Sequence, residues 1–154
     1  MRLYFAFGAN MDVAGMSKRC PGAEALGAAR LDHHRFAIVH PGFATVIAAR
    51  GSAVHGVLWR LASRDLAVLD AYENIASGLY GRDERPVRQG MRTLRALTYF
   101  VRYPRPGLAR PGYLEDCVLP AARHWGLPDP YIRSLEAFLV APGARSPWRE
   151  EQPV

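Results

Sequence analysis

Cysteine is scarce in this chain, with only Cys20 and Cys117 among 154 residues. Two thiols cannot build a disulfide framework, and no CxxC pair or Cys/His cluster accompanies them, so the fold is not organised by disulfides or a structural zinc. Lysine is scarcer still: Lys18 is the only one among 20 basic residues. The net charge of +6 is therefore carried by arginines, which run from Arg2 to Arg149 without a dense block. A basic balance can signal a polyanionic partner, but no nucleic-acid-binding motif stands beside it, and none is expected to bind. No apolar run approaches the ~20 residues that span a bilayer, so no membrane association is expected. The first apolar stretch, Leu3 to Ala9, is closed by Asn10 and Asp12. It reads as a strand rather than the ~7–15-residue core of a signal peptide, which points to the cytoplasm. HExxH, GxSxG, GxxxxGK[ST] and GxGxxG are all missing, which argues against the common zinc proteases, serine hydrolases, P-loop enzymes and dinucleotide enzymes.

What is present suits one globular domain: 49% hydrophobic and 22% charged residues in a chain of ordinary domain length. The pattern predicts a single domain over 1–140 and a loosely held Pro-, Arg- and Glu-rich tail over 141–154. Arg2 to Phe7 reads as a strand, broken by Gly8, with a short helix over Asp12 to Arg19. Strands follow over His33 to His40, Ala44 to Ala49 and Val54 to Leu61, with Gly51-Ser52 as a turn and Val57, Trp59 and Leu61 on one face. Ser63 is the expected N-cap of a helix reaching about Asn74. Ser77-Gly78 reads as a loop. Two more strands, Leu79 to Arg88 and Thr93 to Tyr103, flank a turn at Gln89-Gly90. A helix begins near Tyr113 and ends at Gly126, and another runs from the Asp129 cap to about Leu139. This order predicts an α+β domain with a mixed or largely antiparallel sheet.

Two features could carry chemistry. Gly8, between a strand and a helix, lets a ligand approach backbone N–H groups, and Asn10 adds a side chain that donates and accepts. The same residues also fit a plain strand-to-helix turn in which Asn10 bonds its own loop. Glu73 shares the stripe of Leu66 and Leu69 in the last turn of its helix. The negative end of the helix dipole and partial burial both favour the protonated carboxyl, so its pKa should be raised, as suits a general base. A helix-end glutamate reaching out to water has the same spacing. His33 and His34 are adjacent in a strand and face opposite sides, so that spacing gives no shared metal. Tyr80 and Tyr113 lie just past element boundaries, where a hydroxyl can reach a cleft, although most such tyrosines pack with a wet tip.

The order of several segments resembles the gamma-glutamylcyclotransferase-like family. Tyr4-Phe5-Ala6-Phe7-Gly8-Ala9-Asn10-Met11 looks like its Y-F-A-Y-G-S-N-M signature. Gly42 to Val46 and Val54-His55-Gly56-Val57-Leu58-Trp59 resemble two of its strands. Leu69-Asp70-Ala71-Tyr72-Glu73, with Gly78-Leu79-Tyr80, resembles the segment holding its catalytic glutamate. Pro111 to Leu114 and Gly126 to Pro128, with Tyr131, resemble its C-terminal helical part. The resemblance implies a small mixed, mostly antiparallel β-barrel flanked by helices. It implies cyclisation of a γ-glutamyl compound to 5-oxoproline with release of an amine or amino acid, without metal or cofactor. Glu73 would be the general acid/base, and Tyr4, Phe7, Gly8, Ala9, Asn10, Tyr80 and Tyr113 would bind the substrate. Four positions depart from the pattern: Phe7 and Ala9 each lack a hydroxyl, Asn74 replaces a glycine, and Pro120 should kink or break its helix. The rival readings are a non-catalytic small-molecule binding module of the same fold and, from the charge, a nucleic-acid-associated protein.

Overall fold

The computed structural model describes residues 2–73, 78 and 80–139. Its elements are β1 (Arg2–Ala6), a 3-10 turn (Ala9–Met11), α1 (Val13–Arg19), β2 (Glu24–Val39), β3 (Phe43–Leu61), α2 (Ser63–Tyr72), β4 (Tyr80–Gln89), β5 (Arg92–Val101), a π-helical turn (Tyr113–Val118), α3 (Leu119–His124) and α4 (Asp129–Glu136). The five strands close into a barrel in the order β1-β3-β2-β4-β5. Neighbours are antiparallel except β1 and β5, which meet in parallel at Tyr4↔Leu97. The expected small mixed, mostly antiparallel barrel with flanking helices is the observed architecture. The tail expected over 141–154 and the residues Asn74 and Ser77 lie outside the described residues.

β2 and β3 are much longer than their sequences suggest. Residues 24–32, rich in alanine and carrying a glycine, have weak strand propensity and were not expected in the sheet. They are held there by their ladder to β3, from Glu24↔Arg60 to Asp32↔Ala53. The Gly51-Ser52 pair is not a turn between strands. It lies in an outward excursion of β3, where pairing jumps from Asp32↔Ala53 to His34↔Ala48, and Gly51 takes the positive φ of 82° there. His33 sits opposite with a φ of 60°, so the regular alternation assumed for His33 and His34 is interrupted. His34 turns instead to the Asp32 carbonyl at 2.8 Å and to Arg85 at 3.1 Å. At the other irregularity, beside Gly27, the Gln89 amide donates to the Leu26 and Ala28 carbonyls at 2.8 and 3.2 Å.

Along the last part of β3 both faces are buried. His55 meets Tyr131 of α4, and Trp59 meets Trp125 after α3, so the Val57, Trp59 and Leu61 stripe lies under the helices. On the alternate face Leu58 is also fully buried, and Gly56 lies against Phe5 of β1.

Three helix boundaries differ from expectation for local reasons. The N-cap of α2 is Ala62, not Ser63, because the Asp65 carboxylate accepts the Ala62 N–H at 2.8 Å and starts the helix one residue early. The N-cap of α4 is Pro128 rather than Asp129, which is already helical. The Tyr113 helix begins as a π-helical turn and becomes α-helical at Leu119, one residue before Pro120. Pro120, which has no N–H to give, thus stands at the junction between the two helical geometries, and the break expected there is a change of helix type. Two other boundaries shift slightly: Phe7 lies just beyond β1, and the β4–β5 turn is Gly90-Met91, with Gly90 at φ 60°. Gly126 ends α3 as expected: its N–H reaches the Arg123 carbonyl and that of Leu127 the Ala122 carbonyl, with Gly126 at φ 68°.

Candidate active site

The turn after β1 is fixed from four sides. Met11 N–H donates to the Gly8 carbonyl at 3.1 Å, closing the 3-10 turn. The Trp125 indole donates to the Met11 carbonyl at 2.8 Å, which ties the turn to the end of α3. Asn10 is buried, and its Nδ2 donates to the Tyr4 hydroxyl at 3.0 Å rather than to its own loop. Tyr113 lies against Gly8, where a Cβ would stand 2.6 Å from the tyrosine hydroxyl oxygen; this close approach is what requires glycine. The Tyr113 oxygen in turn accepts the Ala44 N–H at 3.3 Å. Ala9 and Asn10 open the 3-10 turn, and the first N–H groups of a helical turn have no intrahelical acceptor. The Asn10 Oδ1 is buried without a partner, a vacant acceptor beside those donors.

Glu73 terminates α2 from the other side, directly after its last helical residue, with its N–H on the Leu69 carbonyl at 2.8 Å. Leu69 is fully buried, so the stripe read from the sequence does carry Glu73 inward. Burial pushes the Glu73 carboxyl up to about 7, while the Arg19 guanidinium pulls it the other way. Burial comes first among these causes. The end of α2 is anchored to the barrel one turn earlier: Asp70 accepts the Tyr99 hydroxyl at 2.6 Å and pairs with Arg82. Tyr99 packs edge-on against Tyr4 at 5.8 Å, which continues the chain of contacts to Asn10.

The two halves face one cavity of about 330 Å³. All eight residues expected at the site, Tyr4, Phe7, Gly8, Ala9, Asn10, Glu73, Tyr80 and Tyr113, line it. Sequence reasoning missed Tyr72 and Tyr99 as lining groups, together with Pro41 and Phe43 at the loop that starts β3. Tyr99 shares the inward alternation of Leu97, which was the available signal. The Pro41-Gly42 turn gave no hint of what it faces. The Tyr4, Tyr72, Tyr80 and Tyr113 hydroxyls all feel the charge of Glu73, and burial raises each above the ordinary phenol range. They remain protonated donors at neutral pH. No group of three or more possible metal-ligating side chains occurs among the described residues.

A family model described as "Gamma-glutamyl cyclotransferase, AIG2-like" matches residues 4–116, the span from Tyr4 through Glu73 to Tyr113. The chain belongs to this family. Among family relatives, the mouse "Gamma-glutamylcyclotransferase" is 29% identical over 148 residues, covering 88% of this chain and 78% of its own. The human protein of that name is 28% identical over 147 residues, with the same shares. A solved structure called "Gamma-glutamyl cyclotransferase" superposes with a TM-score of 0.85 at 26% identity, covering 92% of this chain and 89% of that one.

Proposed function

We propose that this chain is a cyclotransferase that converts a γ-glutamyl compound to 5-oxoproline and releases an amine or amino acid. The observation that carries the reading is a single cavity with the Gly8–Asn10 turn on one wall and a carboxyl held near pH 7 on another. The substrate's α-amine nitrogen attacks its own γ-carbonyl carbon, forming the ring C–N bond. Glu73 accepts the proton that this nitrogen loses. Charge developing on the carbonyl oxygen is met by N–H groups of the turn, and the neutral tyrosine hydroxyls lie beside it. Collapse of the tetrahedral carbon breaks the bond to the leaving nitrogen, which takes its proton from Glu73. Attack is intramolecular, so orientation in the cavity supplies much of the rate. The unpartnered Asn10 Oδ1 suits the substrate ammonium before it is deprotonated.

Neither a cofactor nor a metal enters this scheme. The proposal also places the protein in the cytoplasm, without a nucleic-acid or membrane partner. Among the described residues no helix is long and apolar enough to cross a membrane. Several arginines are paired with acids, as in Arg2–Glu84, Arg30–Asp32, Arg60–Glu24 and Arg123–Glu136. The test is a panel of γ-glutamyl amino acids, peptides and amines assayed for released 5-oxoproline. Turnover of at least one is expected. Binding without any 5-oxoproline would favour the non-catalytic module instead.

A pH profile follows from the Glu73 carboxyl. The base works only when ionised, so kcat/KM should rise as pH climbs through about 7. Below that point it should fall about tenfold per pH unit. A profile whose acidic limb sits near pH 4.5, where an ordinary glutamate titrates, would remove Glu73 from the role of base.

A further inference from the structure

Arg19 occupies an unusual position for a surface cation. It is the last residue of α1, partly buried, with its guanidinium carbon 4.4 Å from the centre of the Tyr72 ring. Tyr72 lines the cavity next to Glu73, and the Arg19 charge reaches the Glu73 carboxylate. Among the described residues Arg19 forms no ion pair, and its Nε is buried without a hydrogen-bond partner. The carboxylate of Asp12, at the opposite end of α1, is engaged as the helix cap, accepting the Gly15 N–H at 2.8 Å. A guanidinium held over a tyrosine ring still has N–H groups to offer, and paired N–H groups fit a carboxylate in bidentate fashion.

We propose that Arg19 is the receptor for a carboxylate on the leaving amine and so determines which leaving groups the site prefers. This rests on the cyclotransferase reading above. Glu73 must reach the leaving nitrogen to return its proton, so that nitrogen lies beside the Tyr72–Glu73 end of α2. In an amino acid leaving group the carboxylate carbon stands only about 2.5 Å beyond the nitrogen by ordinary bond lengths. The cation whose charge reaches Glu73 at that end of the cavity is Arg19. Neither arginine lines the cavity itself; Arg110 is exposed and lies over the lining residue Phe43 at 4.8 Å, and its charge reaches Tyr80.

The discriminating substrates are γ-glutamylalanine and γ-glutamylethylamine, which differ only in that carboxylate. The unaltered enzyme should favour γ-glutamylalanine by at least about tenfold in kcat/KM, the scale of a charged hydrogen bond. Arg19→Met should collapse the ratio toward one, Arg19→Lys should recover part of it, and Arg110→Met should leave it in place. Equal use of both substrates by the unaltered enzyme overturns the proposal. So does a parallel fall on both in Arg19→Met, which marks an effect through folding or through the charge on Glu73. A ratio lost in Arg110→Met but kept in Arg19→Met assigns the carboxylate to the other arginine. Calorimetric binding of the same two compounds to Glu73→Gln, with and without Arg19→Met, reads the contact without turnover. If no γ-glutamyl compound yields 5-oxoproline, the proposed reaction falls and this binding comparison alone decides. Carboxylate-dependent binding lost with Arg19 sustains the proposal, and equal binding of both compounds overturns it.

Discussion

Glu73→Gln is expected to lose at least about a thousandfold in kcat, because one group both takes the proton from the attacking amine and returns it to the leaving nitrogen. The amide keeps the size of the carboxylate but cannot accept that proton. The same substitution should leave the fold more stable at alkaline pH. In the folded protein the carboxyl is raised to about 7 from an ordinary 4.5. A carboxyl raised on folding favours the folded state fully below its unfolded pKa, and that contribution is lost as pH rises through the folded value. Above pH 7 the parent therefore carries a buried charge that glutamine does not. By ~1.4 kcal/mol per pKa unit the ceiling is roughly 3.5 kcal/mol, reduced by the solvent that still reaches the carboxylate. Thermal unfolding at pH 8 and pH 4, beside a turnover assay, checks both halves. Near-parental turnover excludes Glu73 as the base, and a Tm difference between variant and parent equal at the two pH values excludes the buried charge.

The largest stability effect is expected from a residue with no part in the chemistry. At Gly56 a Cβ would stand 2.2 Å from the Ala6 carbonyl oxygen and 2.9 Å from Phe5 Cζ. The oxygen belongs to backbone, so relief requires moving the end of β1 rather than rotating a side chain. Overpacking of this kind costs about 1–3 kcal/mol, and the backbone obstacle puts Gly56→Ala at the upper end. For a chain of this size that lowers Tm by about 5–10 °C. Ala6 leads through Phe7 into the Gly8 turn, so KM should rise as well. A variant that melts within a degree of the parent would show that β1 yields more easily than its ladder to β3 suggests.

The sequence revealed those parts of the molecule whose determinants are local or sit on a motif. The glycine turn and the inward stripe ending at Glu73 were legible because a strand break and a helical spacing announce themselves within a few residues. The first half of β2 was not, because alanines there are ordered by β3, some thirty residues away, and not by their own propensity. The early start of α2 was hidden for a smaller reason: Ala62 has no side chain that announces a cap, and the signal lies three residues on, in the Asp65 carboxylate that accepts its N–H. Arg19 could not be recognised from spacing at all. It reads only as the end of a short helix, and its bearing on Glu73 arises because its guanidinium lies over Tyr72 at the end of α2.

The barrel is stitched unevenly. β2 with β3 and β4 with β5 are long hairpin ladders, whereas β1 meets β5 at Tyr4↔Leu97 and β2 meets β4 at Arg30↔Arg88. The hairpins join strands that follow one another in the chain. The two narrow seams join stretches far apart, and long loops must close before such contacts form. Tyr4 and Tyr99 approach one another across the β1–β5 seam, while Glu73 arrives on a helix moored to the β5 side through Asp70. During refolding, then, spectroscopic signals of sheet can return with the hairpins, but turnover has to wait for the seam. Recovered activity in this protein is a gauge of completed closure.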